Sequence, residues 1–89
     1  MEIKLLDGVF TIDEAEKLLT AIFQTKIAFH EQKIRTIHMN EEDIEHSERR
    51  IMQLEETLRN AIRKMKAKGQ KHTYLNAHIE VNTMQPLTP

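Results

Sequence analysis

At 89 residues and 10.5 kDa the chain forms one domain at most, and a monomer of this mass hides only about 60 to 65% of the surface its unfolded chain exposes, so partner subunits are expected. Thirteen Lys or Arg against fourteen Asp or Glu leave a formal charge of -1, which gives no net attraction to nucleic acid or an acidic membrane. The absence of cysteine excludes disulfides, thiolate nucleophiles and thiolate metal sites, and fits the cytoplasm as the default compartment.

The opening MEIKLLDGVF carries neither the basic leader nor the long apolar run of a signal peptide. No apolar stretch reaches the roughly 20 residues that cross a bilayer, so no membrane passage is expected. Ile3 and Leu5 alternate with Glu2 and Lys4, which predicts a short strand over 2–6, and Asp7-Gly8 then reads as a turn.

Thr11 followed three residues later by Glu14 has the form of a capping box, in which each side chain satisfies the other residue's backbone amide. A helix over 12–38 is predicted from this point, with Asp13, Glu14 and Glu16 favourably placed at the positive end of its dipole. Ala15, Leu18, Leu19, Ile22, Phe23, Ile27, Phe29, Ile34 and Ile37 give it a broad apolar surface, too wide for one neighbouring helix. Phe23, Ile27 and Ile34 form a seam, and Leu18, Ile22 and Phe29 are left for another partner.

Asn40 is placed to cap a second helix, with Asp43 at its third position and Glu41 and Glu42 in its first turn. Over 41–68, Ile44, Ser47, Ile51, Leu54, Leu58, Ala61 and Met65 follow a strict 3-4 alternation, widened by Ile62; this is the spacing of a coiled-coil seam. Ser47 and Ala61 would let a neighbouring helix come close, with Ser47 near a wet end of the contact. Lys64, Lys66 and Lys68 suit the negative end of the dipole, and Gly69 can take the left-handed cap position.

No proline or glycine prevents a continuous rod from 12 to 68, which would be roughly 85 Å long. Charge favours a reversal at Asn40 instead. Residues 40 to 58 hold seven acidic and two basic side chains, whereas 59 to 72 hold six basic ones and no acidic one. A hairpin sets Glu41, Glu42 and Asp43 near Lys33 and Arg35, and Arg63, Lys64, Lys66 and Lys68 near Asp13, Glu14 and Glu16. An antiparallel dimer of rods would achieve the same pairing between chains.

Leu75, Ala77, Ile79 and Val81 alternate with Tyr74, Asn76, His78 and Glu80, which predicts a strand over 74–81, able to pair beside the leader strand or its symmetry mate. Residues 82–89, with Pro86 and Pro89, read as a flexible tail. The fold class is therefore mainly α: a long antiparallel two-helix hairpin with short terminal strands, dimerising into a four-helix bundle.

Chemistry finds little support. His38, Glu42 and His46 would form a ligand ladder if one helix ran through the junction, but a reversal at Asn40 breaks it, and no metal or cofactor is expected. His30 falls within the apolar rhythm and reads as a partly buried side chain, hydrogen-bonded across the hairpin or dimer. Arg59, Arg63 and Lys66 share a helix face and could contact phosphates, the basis of an alternative reading as a nucleic-acid-associated regulatory protein. No recognition-helix arrangement, zinc-finger ligand set or RNA-binding motif accompanies them. Gly-rich phosphate loops and nucleophile elbows are also missing, so a small helical enzyme is a weaker alternative and no catalytic residue is assigned. The reading favoured is a homo-oligomeric association or scaffolding module, a homodimer with room for a further protein partner. Self-association is assigned to Leu18, Ile22, Phe29, Ile51, Leu54, Leu58 and Ile62, some of which must instead join the two helices of one hairpin.

Overall fold

A computed structural model describes residues 1–36 and 40–84. In chain order the elements are β1 (Glu2–Thr11), α1 (Ile12–Thr36), α2 (Glu41–Ala67) and β2 (His72–Glu80). The helices form an antiparallel hairpin, and the strands pair antiparallel with each other as a two-stranded sheet. α1 meets α2 on one side and both strands near its start.

The capping box forms as the sequence predicts. The Thr11 amide donates to Glu14 Oε1 at 2.9 Å, and the Glu14 amide donates to Thr11 Oγ1 at 3.1 Å. Two otherwise orphaned donors are satisfied, so the chain passes from strand to helix without a loop. At α2 the Asn40 side chain accepts from the Asp43 amide at 2.8 Å. Gly69 closes α2 with φ +66, in the left-handed region where a side chain would be strained.

A continuous helix would hold Glu16 and Lys66 about 75 Å apart, yet Lys66 Nζ lies 3.1 Å from Glu16 Oε2. The chain therefore reverses. Ile27 and Leu58, at 3% and 8% exposure, sit in the seam between the helices, and Ala15 is fully buried near the start of α1. Ser47 is also buried, which corrects its expected place near a wet end: its small side chain lets the helices close over it.

Both strands depart from the expected bounds. β1 runs to Thr11, through the Asp7-Gly8 pair read as a turn, because β2 supplies a partner at each position: Asp7 lies opposite Asn76 and Gly8 opposite Leu75. Tyr74, opposite Val9, donates its hydroxyl diagonally to the Asp7 carboxylate and so helps hold this stretch extended. β2 begins at His72, two residues before the predicted start, and ends at Glu80. The ladder has one irregularity, between Lys4 and Leu6, where Leu5 is an extra residue on β1. The expected end of the first helix at 38 and most of the tail over 82–89 lie outside the described residues.

Alternation gives the sheet two faces. Ile3, Leu6, Gly8 and Phe10 share one with Thr73, Leu75, Ala77 and Ile79, and it is the more buried of the two toward α1. The other carries Asp7, Val9 and Thr11 with His72, Tyr74, Asn76 and His78 and is exposed. Among the described residues no helix is long and apolar enough to cross a membrane.

Candidate association surface

The assigned association residues divide by location. Leu58 is buried against α1 within the chain, and Ile51, Leu54 and Ile62 flank it half-buried. Leu18, Ile22 and Phe29 belong to α1. Phe29 lies two residues from Ile27, about 160° around the helix at 100° per residue, so it points away from α2, and it is 62% exposed. Leu18 and Ile22 lie on the same side at spacings of four and seven, half-buried. The hairpin thus brings Ile51, Leu54, Leu58 and Ile62 to its own seam or the border of that seam, and leaves Leu18, Ile22 and Phe29 as a separate stripe.

The His30 ring meets Phe29 edge-on, with centroids 5.8 Å apart and planes at 71°. Its expected half-burial is observed. Edge-to-face contact steadies the exposed Phe29 ring on the helix surface.

Arg59, Arg63 and Lys66 are all exposed on α2. Lys66 pairs with Glu16, whereas Arg59 and Arg63 have no carboxylate within 4.0 Å among the described residues. The sequence places Glu41, Glu42 and Asp43 beside Lys33 and Arg35; in the structure Arg35 pairs instead with Glu31 of its own helix at 4.0 Å. Lys17 with Asp13 and Arg49 with Glu45 are likewise pairs within one helix, so among these exposed helical pairs only Lys66 with Glu16 ties one helix to the other.

Glu42, Asp43, Glu45, His46 and Arg49 line a shallow groove on the first turns of α2. Among the described residues no group of three or more His, Asp or Glu side chains could hold a metal ion. His38, the first member of the expected ladder, lies outside those residues. Among the described residues, Glu14 and Tyr74 have pKa values displaced from the ordinary ones. Glu14 is lowered by the Thr11 amide and then by the Thr11 hydroxyl, and the Tyr74 phenol is raised chiefly by its hydrogen bond to Asp7.

The sequence reading missed a second exposed apolar surface, on the strands. Ile3, Leu5, Ile79 and Val81 lie toward the free end of the ribbon, and Val9 and Tyr74 stand on its outer face. Leu6, Gly8 and Phe10 join Ile3 on one face only because the extra residue Leu5 shifts the phase of the alternation by one, and the turn signal at Asp7-Gly8 hid that continuation.

No protein family, curated protein or solved structure matches this chain.

Proposed function

We propose that the chain is a homodimeric association module without catalytic activity, whose second copy covers the Leu18, Ile22 and Phe29 stripe and completes a four-helix bundle. The observation that carries this reading is surface. A compact protein of 10.5 kDa exposes about 5,400 Å², whereas this chain exposes 7651 Å². The difference is more than twice the roughly 800 Å² that each partner buries in a standard interface. Burying it strengthens a core whose buried hydrophobic side chains, among the described residues, are Ala15, Ile27 and Leu58.

Charge along α1 supports an antiparallel arrangement. Its first turn holds Asp13 and Glu14 and its last turn Lys33 and Arg35. Two copies of α1 packed head to tail set the acidic start of each beside the basic end of the other. The Phe29 side chain of each then falls beside Leu18 of its mate. Such a module joins two copies of whatever is attached to or docked on it, which is the scaffolding role.

Sedimentation equilibrium tests the reading. The chain is expected at twice 10.5 kDa, and Phe29→Glu is expected to shift it toward the monomer while its helical circular dichroism persists. A folded Phe29→Glu variant that remains fully dimeric overturns the assignment of the stripe.

A further inference from the structure

The outer edge of β2 is a row of backbone donors and acceptors with a definite register. The Met1 ammonium donates to the Val81 carbonyl at 2.9 Å and the Val81 amide donates to the Met1 carbonyl at 2.7 Å, so residue 81 turns its backbone groups toward the first strand. Alternation then directs the odd-numbered residues of β2 to β1 and the even-numbered ones outward. The opposite end agrees, since the Lys71 carbonyl accepts from the Ile12 amide at 3.2 Å on the inner side. Among the described residues no strand pairs with that side of β2, so His72, Tyr74, Asn76, His78 and Glu80 present their N-H and C=O groups to an open edge.

Open edges are ordinarily blunted by proline, a bulge or an inward-pointing charge. β1 has its bulge at Lys4 to Leu6. β2 has no such device: it is nine residues long, unbulged and free of proline, and the face it turns to α1 carries Thr73, Leu75, Ala77 and Ile79.

We infer that β2 pairs antiparallel with β2 of a second copy about a two-fold axis at Asn76, making a four-stranded sheet in the order β1, β2, β2, β1. The strand is self-complementary in that register. His72 falls opposite Glu80 of the second copy, a cation-capable group against a carboxylate, and Tyr74 falls opposite His78, ring against ring. Leu75 meets Ala77 and Thr73 meets Ile79 on the inner face, so the apolar surfaces of the two ribbons join into one. All nine residues of β2 take part, whereas moving the axis by one residue in either direction leaves two of them unpaired. Both α1 helices then lie on the same side of the sheet. This inference rests on the homodimer proposed above and names a second part of its interface.

The chain has no cysteine, so a single introduced thiol reports the register. Directly opposed residues in a hydrogen-bonded antiparallel pair have Cα atoms about 5.5 Å apart, within disulfide reach. Asn76→Cys is expected to give a covalent dimer on mild oxidation. Val9→Cys, on the same outer face but on β1, is expected to give none, because the two β1 strands lie about 14 Å apart across the new sheet. Asn76→Pro removes an outward amide without touching the β1 ladder. It is expected to weaken the dimer about tenfold or more with unchanged circular dichroism.

A sedimenting dimer with neither an Asn76→Cys cross-link nor weakening by Asn76→Pro overturns the β2 edge and leaves the homodimer standing. So does cross-linking through Val9→Cys with Asn76→Cys silent. A chain that sediments as a monomer at every concentration overturns both.

Discussion

Lys66 and Glu16, fifty residues apart in the chain, meet at 3.1 Å across the two helices. That contact fixes the register of the hairpin more than it stabilises it, because both side chains keep contact with water, at 56% and 33% exposure. Lys66→Glu is expected to cost no more than about 1 kcal/mol of stability, and adding Glu16→Lys should recover part of the loss. Thermal melts of the two single variants and the reversed pair check this. Equal destabilisation with no recovery would mean that the two charges do not interact in solution.

Deletion of the core side chain Leu58 behaves differently. It is buried at 8% exposure in a seam with few other buried side chains. Leu58→Ala is expected to lower stability by about 2 to 4 kcal/mol in urea unfolding, whereas Met52→Gln, on an exposed position of α2, should change it by less than about 0.5 kcal/mol. Similar effects from the two would remove Leu58 from the seam.

The caps and the hairpin were legible in the sequence because their signals are local. Thr11 with Glu14, Asn40 with Asp43, and Gly69 each act through backbone groups within three residues or through their own φ, and all three form as predicted. The reversal is legible from charge, but among the described residues only the ion pair at Glu16 and Lys66 joins the helices as expected; Arg35 finds a nearer partner one turn away in Glu31, and local pairs cost less entropy to form. The lengths of the strands were not legible. Asp7-Gly8 carries a turn signal in isolation, and only pairing with Asn76 and Leu75, almost seventy residues away, holds it extended. Ser47 was misplaced for a similar reason: burial depends on how closely the helices approach, which spacing along one helix does not reveal.

The glycine that ends α2 gives a third test. At φ +66 the β-carbon of an L-residue is strained, although nothing crowds the position within 4 Å. Gly69→Ala is therefore expected to cost about 1 kcal/mol, from backbone strain alone. A D-alanine at the same site, introduced by chemical ligation, should cost nothing or stabilise. Equal effects from the two enantiomers would show that the left-handed conformation is absent in solution.

Chain-wide, Tyr74 is the one tyrosine, so its phenolate absorbance can be read without interference. Hydrogen bonding to Asp7 raises its pKa above the ordinary phenol value, followed by lesser effects of desolvation and the Asp7 charge. A group whose folded pKa is raised contributes stability that is full below the unfolded value and lost as pH rises through the folded one. Alkaline titration of the folded chain should show a later midpoint than the same chain in denaturant, and Asp7→Asn should move the folded midpoint back toward the ordinary value. An unchanged midpoint in Asp7→Asn would assign the shift to burial instead.

Acid acts on the opposite end of the scale and on the opposite sign. The Thr11 amide and hydroxyl hold the Glu14 carboxylate below its ordinary pKa. A depressed carboxylate contributes stability that is present above the unfolded pKa and lost as pH falls through the folded one. Glu14→Gln keeps an acceptor for the Thr11 amide but removes the titrating charge, so it should flatten the acid limb of the stability profile while leaving the helix in place. Thr11→Ala removes the hydroxyl, which costs about 1 kcal/mol at neutral pH, and it should also bring the Glu14 titration, followed by carboxyl carbon NMR, closer to that of a free glutamate. Should Thr11→Ala leave that titration where it was, the Thr11 hydroxyl would carry none of the shift, and the Thr11 amide, which alanine keeps, would account for it alone.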